Sequence, residues 1–200
     1  MRAQMLAAGI GQVDAVIWTH DHGDHCHGVD DLHQIFHARA GPVPGYARPH
    51  TITSLQSRFS YIFSGISGYP AVSRLHGLPD AICIGDMEVR AIDMPHGSIT
   101  SAGLRFKRDG KTIGYATDFS DVDEAMVPFF ADLDIWVIDA LRVAPRPTHA
   151  NLSMTLETVA RCRPTRAYLT LMDQSMDYDD LCGELPEHVR PGHDGLEITL

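Results

Sequence analysis

The chain has 200 residues with 16 Lys and Arg against 26 Asp and Glu, a formal net charge of −10. That length supports one sizeable domain with its own core and disfavours two small ones. The acidic balance is a poor footprint for a nucleic-acid binder, which needs a basic face to neutralise phosphates. Four dispersed cysteines (Cys26, Cys83, Cys162, Cys182) form no C-x-x-C pair. Neither a zinc ribbon nor a disulfide framework is therefore expected, and the thiols read as buried and reduced. No apolar run reaches membrane-spanning length and the N-terminus lacks the apolar core of a signal peptide, so the expectation is a soluble, cytoplasmic protein.

In chain order, residues 2–8 read as the end of a helix stopped at Gly9. The apolar, β-branched run 14–19 reads as a buried strand. It leads directly into Thr19-His20-Asp21-His22-Gly23-Asp24-His25-Cys26-His27-Gly28. A helix is predicted over 30–40, with acidic residues at its start favouring the dipole. Residues 41–45 read as a loop and 46–47 as a short strand. Thr51 is placed as the cap of a helix running to about Phe63. The glycine-rich stretch 64–70 is a connection, with a wall over a site as its functional reading. From Ala81 the period becomes two, giving strands 82–84 and 87–92 that end at Pro95-His96-Gly97. Strands 104–108 and 112–116 flank Asp109-Gly110, a type I′ hairpin signal. A helix 122–131, strand 135–139, a loop to Ser153, helix 154–162, strand 167–171, a short helix 178–183 and a terminal strand 196–200 complete the reading. Mixed elements of this kind predict a layered α/β fold.

The dense cluster carries the chemistry. It stands where a strand passes into a loop, a usual place for functional groups on a rigid scaffold. Imidazole nitrogen and carboxylate oxygen suit zinc, manganese or iron(II). His20 and His22, two apart, project from one side if the extended geometry continues, and Asp24 with His25 offers a second pair of donors. Cys26 and His27 read as supporting or packing residues, and Asp21 as a solvated or turn-forming side chain. His33 and His37 share a helix face but lack a zincin glutamate, so they read as surface or packing histidines. Later strand ends and loops supply His96, Asp118, Asp139, His149 and Asp173. A lone strand-end aspartate ordinarily caps a turn, so these gain meaning only beside the first cluster.

The order His20-x-His22-x-Asp24-His25, then His96, then Asp118 within Gly114-Tyr115-Ala116-Thr117-Asp118-Phe119, resembles the metallo-β-lactamase-fold hydrolases over nearly the whole chain. Residues 19–32 and 147–153 are similar to the branch typified by the cyclic-phosphate phosphodiesterase of the carbon–phosphorus lyase pathway. The resemblance implies a four-layer αββα sandwich, here without the strands that precede the first helix in the family. It implies a metal-dependent hydrolase of small or cyclic phosphodiesters that works through a metal-bound hydroxide. His20, His22 and His96 look like ligands of a first divalent ion, Asp24 and His25 like ligands of a second, with Asp118 bridging; the ions are zinc or manganese. His149 resembles the general acid or phosphate-contacting histidine, and Asp24 is counted beside it among the catalytic groups. The family pattern places a last histidine after a strand-end threonine, whereas here Leu171 follows Thr170. Asp173 replaces it only if the strand continues, and otherwise the second site is weak or empty. The expected partner is a small-molecule substrate, without nucleic acid or membrane, and a homodimer is left open. The alternatives are a hydrolase of thioesters, lactones or lactams, and a metal-binding protein of impaired activity. A tRNA 3′-end-processing endonuclease shares the ligand order, but the acidic balance argues against it.

Overall fold

A computed structural model describes residues 1–200, and the chain is mixed α/β, as its alternating patterns predict. It forms two units, Met1–Gly85 and Asp86–Leu200. In the first, helix α1 (Arg2–Ala7) ends before Gly9, which turns the chain at φ +66°. Strands β1 (Val16–Trp18), β2 (Val43–Ala47) and β3 (Ser73–Gly77) pair in parallel in that order. Most of the loop predicted over 41–45 is therefore strand. Pro44 and Gly45 disguise it, because both residue types are depleted in strands. Gly45 has a packing reason: a Cβ there would lie 2.6 Å from the Trp18 ring, so only glycine lets the indole cross β2. Strand β3 was not predicted; of its five residues only Ser73 is buried, so no apolar alternation marks it.

A 3-10 turn (His27–Asp31) precedes α2's continuation into α3, where α2 spans Gly23–Cys26 and α3 spans Leu32–Arg39, so the helix predicted from residue 30 begins two residues later. Helix α4 (Pro49–Arg58) starts with proline in its first turn, where a missing N–H costs nothing. Thr51 is buried inside it and caps nothing. The helix breaks at Phe59 and a single turn, α5 (Ser60–Phe63), follows, so the element predicted to run unbroken to Phe63 is two. Residues 64–70 make a tight turn in which Gly65, Ser67 and Gly68 have positive φ. Trp18, Leu32, Val43, Leu55 and Ile62 form the centre of this unit's core. Strand β4 (Ala81–Ile84) follows.

In the second unit, β5 (Met87–His96) and β6 (Ile99–Arg108) form a long antiparallel hairpin. Strand β7 (Lys111–Ala116) pairs with β6 through Asp109-Gly110, whose φ values of 50° and 77° are those of the predicted type I′ turn. Strands β8 (Ile135–Asp139), β9 (Arg166–Thr170) and β10 (Val189–Pro191) then add in parallel, giving the order β10-β9-β8-β7-β6-β5. Helices α7 (Leu152–Cys162) and α8 (Tyr178–Glu184) match their predictions to within two residues. The helix predicted over 122–131 shrinks to one turn, α6 (Met126–Phe129). The Asp121 and Asp123 carboxylates accept the Val122 and Ala125 N–H groups, offering the backbone a turn in place of a helix. The terminal strand predicted over 196–200 does not form; the position beside β9 is taken by β10. Phe130 stacks on Trp136 at 4.9 Å, and Met94, Phe119, Leu133 and Ile138 surround the pair. Burying side chains of this kind contributes roughly 1.5–3 kcal/mol each. Cys26 and Cys162 are buried as expected, but Cys83 is exposed and Cys182 half-buried. Burial pushes the Cys162 thiol up to about 11. No helix is long and apolar enough to cross a membrane.

Candidate functional site

Most of the residues singled out in the sequence gather with others of their own unit. In the first, β1 delivers the chain to Thr19 and His20, both buried, and His20 is fully so. The Thr19 hydroxyl lies 3.1 Å from His20 Nδ1, which engages that nitrogen. The His20 ring meets those of His22 and His25 at centroid separations of 4.7 and 4.3 Å, and the ligand atoms of His20 and His22 lie within 4.8 Å of each other. The period-two argument for this pair thus agrees with the geometry. Next, His22 keeps extended geometry (φ −63°, ψ 153°) and caps α2, turning the chain so that Asp24 falls in the first helical turn. Asp24 Oδ2 lies 3.2 Å from His25 Nε2; the aspartate side chain is 70% exposed and the histidine 12%. An open carboxylate beside a sheltered imidazole offers an oxygen and a nitrogen donor of the kinds that bind divalent ions.

Asp21, read from sequence as a solvated or turn residue, is instead anchored. The Ser54 hydroxyl donates to its carboxylate at 2.5 Å and Arg58 donates to its carbonyl. Burial pushes the Asp21 carboxyl up, but the Ser54 bond and the neighbouring charges outweigh it and hold the group below its ordinary value. His27 packs edge-on against Phe59 at 6.0 Å and receives Arg58, in keeping with a supporting role. His33 contacts the Asp30 carbonyl at the surface and His37 lies against Phe36, so both remain the surface and packing histidines expected.

In the second unit, β5 ends at His96, which is 2% exposed. Gly97 turns the chain at φ +59°, and a Cβ there would sit 2.8 Å from the Thr148 methyl. That close approach puts the Thr148 carbonyl 2.7 Å from His96 Nδ1, fixing the ring so that Nε2 faces Asp118 Oδ1 at 3.8 Å. Asp118 is 1% exposed and follows β7 in the left-handed region (φ 56°), a costly conformation that Asp tolerates better than most residues. The Ser101 hydroxyl, contacting the Thr117 and Asp118 carbonyls at 3.1 and 2.8 Å, holds the backbone there.

His149 completes this cluster. Its Nδ1 lies 3.3 Å from Asp139 Oδ2 and 3.5 Å from Asp118 Oδ1, and its ring meets His96 at 5.0 Å. Asp139 ends β8 and is fully buried, with its carbonyl accepting from the Thr155 hydroxyl at 2.5 Å. Burial pushes the Asp139 carboxyl up, against the opposing pull of His149. Sequence reasoning noted Asp139 only as a strand end, and it had no local signal for Thr148, Ser54 or Arg58. Each acts through a partner at least ten residues away.

Asp173 does not behave as the substitute ligand weighed from the sequence. Strand β9 ends at Thr170 and Leu171 takes a left-handed conformation (φ 60°), so the period-two argument stops before Asp173. The Asp173 carboxylate accepts from the Ser175 N–H (2.9 Å) and hydroxyl (2.6 Å) and pairs with Arg142. These contacts hold it below the usual carboxylate range, the Ser175 bonds foremost.

The description "Beta-lactamase superfamily domain" belongs to the family model that matches residues 1–170. A new diphosphatase from the PhnP family has a solved structure with a TM-score of 0.88 and 30% identity, over 98% of this chain and 74% of that one. Human tRNase Z, short form, superposes with a TM-score of 0.71 at 18% identity, over 99% of this chain and 84% of that one, a likeness of fold. An octanoyltransferase of Porphyromonas gingivalis is 27% identical over 204 residues, covering 100% of this chain and 40% of that protein. The exodeoxyribonuclease WalJ of Streptococcus pneumoniae is 26% identical over 130 residues, covering 64% of this chain and 44% of that protein. The chain thus spans about two fifths of the length of these curated relatives.

Proposed function

The chain belongs to the beta-lactamase superfamily, a metallo-β-lactamase-fold hydrolase, and from that premise we propose that it cleaves phosphodiesters, small or cyclic ones, with divalent ions. The observation that carries the phosphorus chemistry is the 30% identity to a diphosphatase over 98% of the chain. Diphosphate and phosphodiester cleavage share attack at a phosphoryl centre and departure of an oxygen.

The donor set fits zinc or manganese. His20 and His96 are buried with Nδ1 engaged by Thr19 and by the Thr148 carbonyl, which assigns Nε2 of each as the ligating nitrogen. In this reading His20, His22 and His96 would hold a first ion and Asp24 and His25 a second, with Asp118 as a further donor. Leu171 adds no donor, so the second ion is held more loosely. When bound, the ions supply Lewis acidity toward the phosphoryl oxygens and acidify water.

The chain's own residues do the rest. The Asp139 carboxylate accepts a hydrogen bond from His149 Nδ1–H, so His149 Nε2 is the atom that would give a proton to the leaving oxygen. The buried carboxylate also stabilises the imidazolium form that proton donation requires. Asp24, exposed at the start of α2, would meet an ion from the solvent side.

The test is turnover of bis(p-nitrophenyl) phosphate by zinc- or manganese-loaded protein, beside a thioester, a lactone and a β-lactam. The phosphodiester is expected to be the preferred substrate. Turnover of the thioester, lactone or lactam with none of the phosphodiester would replace this reading with that alternative.

A further inference from the structure

We propose that Arg58 and Ser54, one turn apart on α4, are positioning residues that hold the segment from His20 to His27 in its metal-binding shape. This rests on the metal-dependent reading above. Residues four apart share a helix face, and here both reach the same residue, Asp21, which lies between His20 and His22. Arg58 Nη1 donates to the Asp21 carbonyl, while Nη2 lies 2.8 Å from His27 Nε2. Ser54 donates to the Asp21 carboxylate. The Cys26 thiol reaches the same Asp21 carbonyl at 3.4 Å, so two donors converge on that peptide group while Ser54 holds the side chain of the same residue.

The arrangement is built for a guanidinium. One planar fork serves two acceptors at once, a carbonyl and an imidazole nitrogen, which the compact ammonium of lysine does not match. The Arg58 charge also lies over the Phe59 ring at 5.2 Å, and Phe59 packs edge-on against His27. Gly23 is part of the same fit: a Cβ there would come within 2.9 Å of the His27 ring, so the segment wraps over that ring only without a side chain.

The consequence is for the ligands. The orientation of the Asp21 peptide sets the direction in which His22 leaves the backbone. Without Arg58, that carbonyl retains only a weak thiol donor, and the Ser54 hydroxyl is left to tie Asp21 to α4. Partners that orient ligands in this way characteristically change metal affinity by 10–100-fold when removed.

The experiment is zinc affinity by chelator competition on the full chain, for wild type, Arg58→Lys, Ser54→Ala and Ser54→Thr. Affinities are compared well below each protein's thermal midpoint, so that a general loss of packing is not read as a loss of binding. Arg58→Lys and Ser54→Ala are expected to bind zinc at least about tenfold more weakly. Ser54→Thr, which keeps the hydroxyl, is expected within about twofold of wild type. Wild-type affinity in both Arg58→Lys and Ser54→Ala would overturn the positioning role alone. A wild-type chain that binds no zinc would overturn the metal-dependent reading and this inference together.

Discussion

Asp139→Asn tests the catalytic half of the proposal with little change of shape. Asparagine has the same volume, so the fully buried end of β8 keeps its packing and the Thr155 hydroxyl keeps its carbonyl partner. What is lost is the charge that receives His149 Nδ1 at 3.3 Å. A hydrogen bond to a charged group is worth about 1.5–3 kcal/mol. At 1.36 kcal/mol per factor of ten, a bond used wholly to orient and charge His149 predicts a fall in kcat of about 10- to 150-fold. Stability should move the other way or not at all, because burial already disfavours the Asp139 carboxylate and the amide removes that cost. The assay pairs kcat and KM on a phosphodiester with an alkoxide leaving group, which needs a proton to depart, with thermal midpoint and metal content. A kcat within about twofold of wild type would refute the orientation argument. A fall in kcat that tracks loss of metal or of folded protein would assign Asp139 a structural role instead.

His149→Ala is expected to retain metal while losing about 100-fold or more in kcat on a phosphodiester with an alkoxide leaving group. The loss should be much smaller with p-nitrophenoxide, which departs without a proton; equal losses on both substrates would argue against a proton donor. Gly114→Ala in β7 would place a Cβ 2.4 Å from Leu133 and 2.7 Å from Trp136, overpacking the second unit by about 1–3 kcal/mol in urea unfolding. An unchanged midpoint would mean that the core yields without cost. Asp134 is held below the usual carboxylate range, first by the Thr112 N–H and hydroxyl and then by Lys111. Its folded value is the lower one, so its stabilisation is complete above the unfolded value of about 3.9 and fades as pH falls through the folded value. The stability gap between wild type and Asp134→Ala should accordingly be level near neutrality and narrow below about pH 4; a gap that does not vary with acid would contradict the assignment.

The first histidine cluster was legible because it is local. His20-x-His22-x-Asp24-His25 needs only a strand end and one turn, and the structure supplies both. Strand β8 and the Asp109-Gly110 hairpin were legible for the same reason, since a buried β-branched run and a left-handed turn pair announce themselves within a few residues. Where tertiary contacts decide, the pattern misleads. Gly45 looks like a loop residue and is a strand residue because Trp18 needs its space. The Asp121 and Asp123 side chains undo a helix that residue periodicity favours. Strand β3 hides because only Ser73 of its five residues is buried, so no apolar alternation marks it. Leu171 offers no donor atom, and its left-handed backbone, after which Asp173 meets Arg142 and Ser175, has no signature in a leucine. The supporting partners of the site, Asp139 for His149 and Arg58 with Ser54 for Asp21, likewise become apparent only once distant segments are folded together.

The most direct measurement is metal content per chain, by elemental analysis of protein purified without chelator. About one tightly held zinc or manganese ion per chain is expected, rising toward two when the metal is added, and lost from the tight site in His22→Ala. A chain that holds no divalent ion before or after addition, or a His22→Ala variant with unchanged tight-site content, would contradict it.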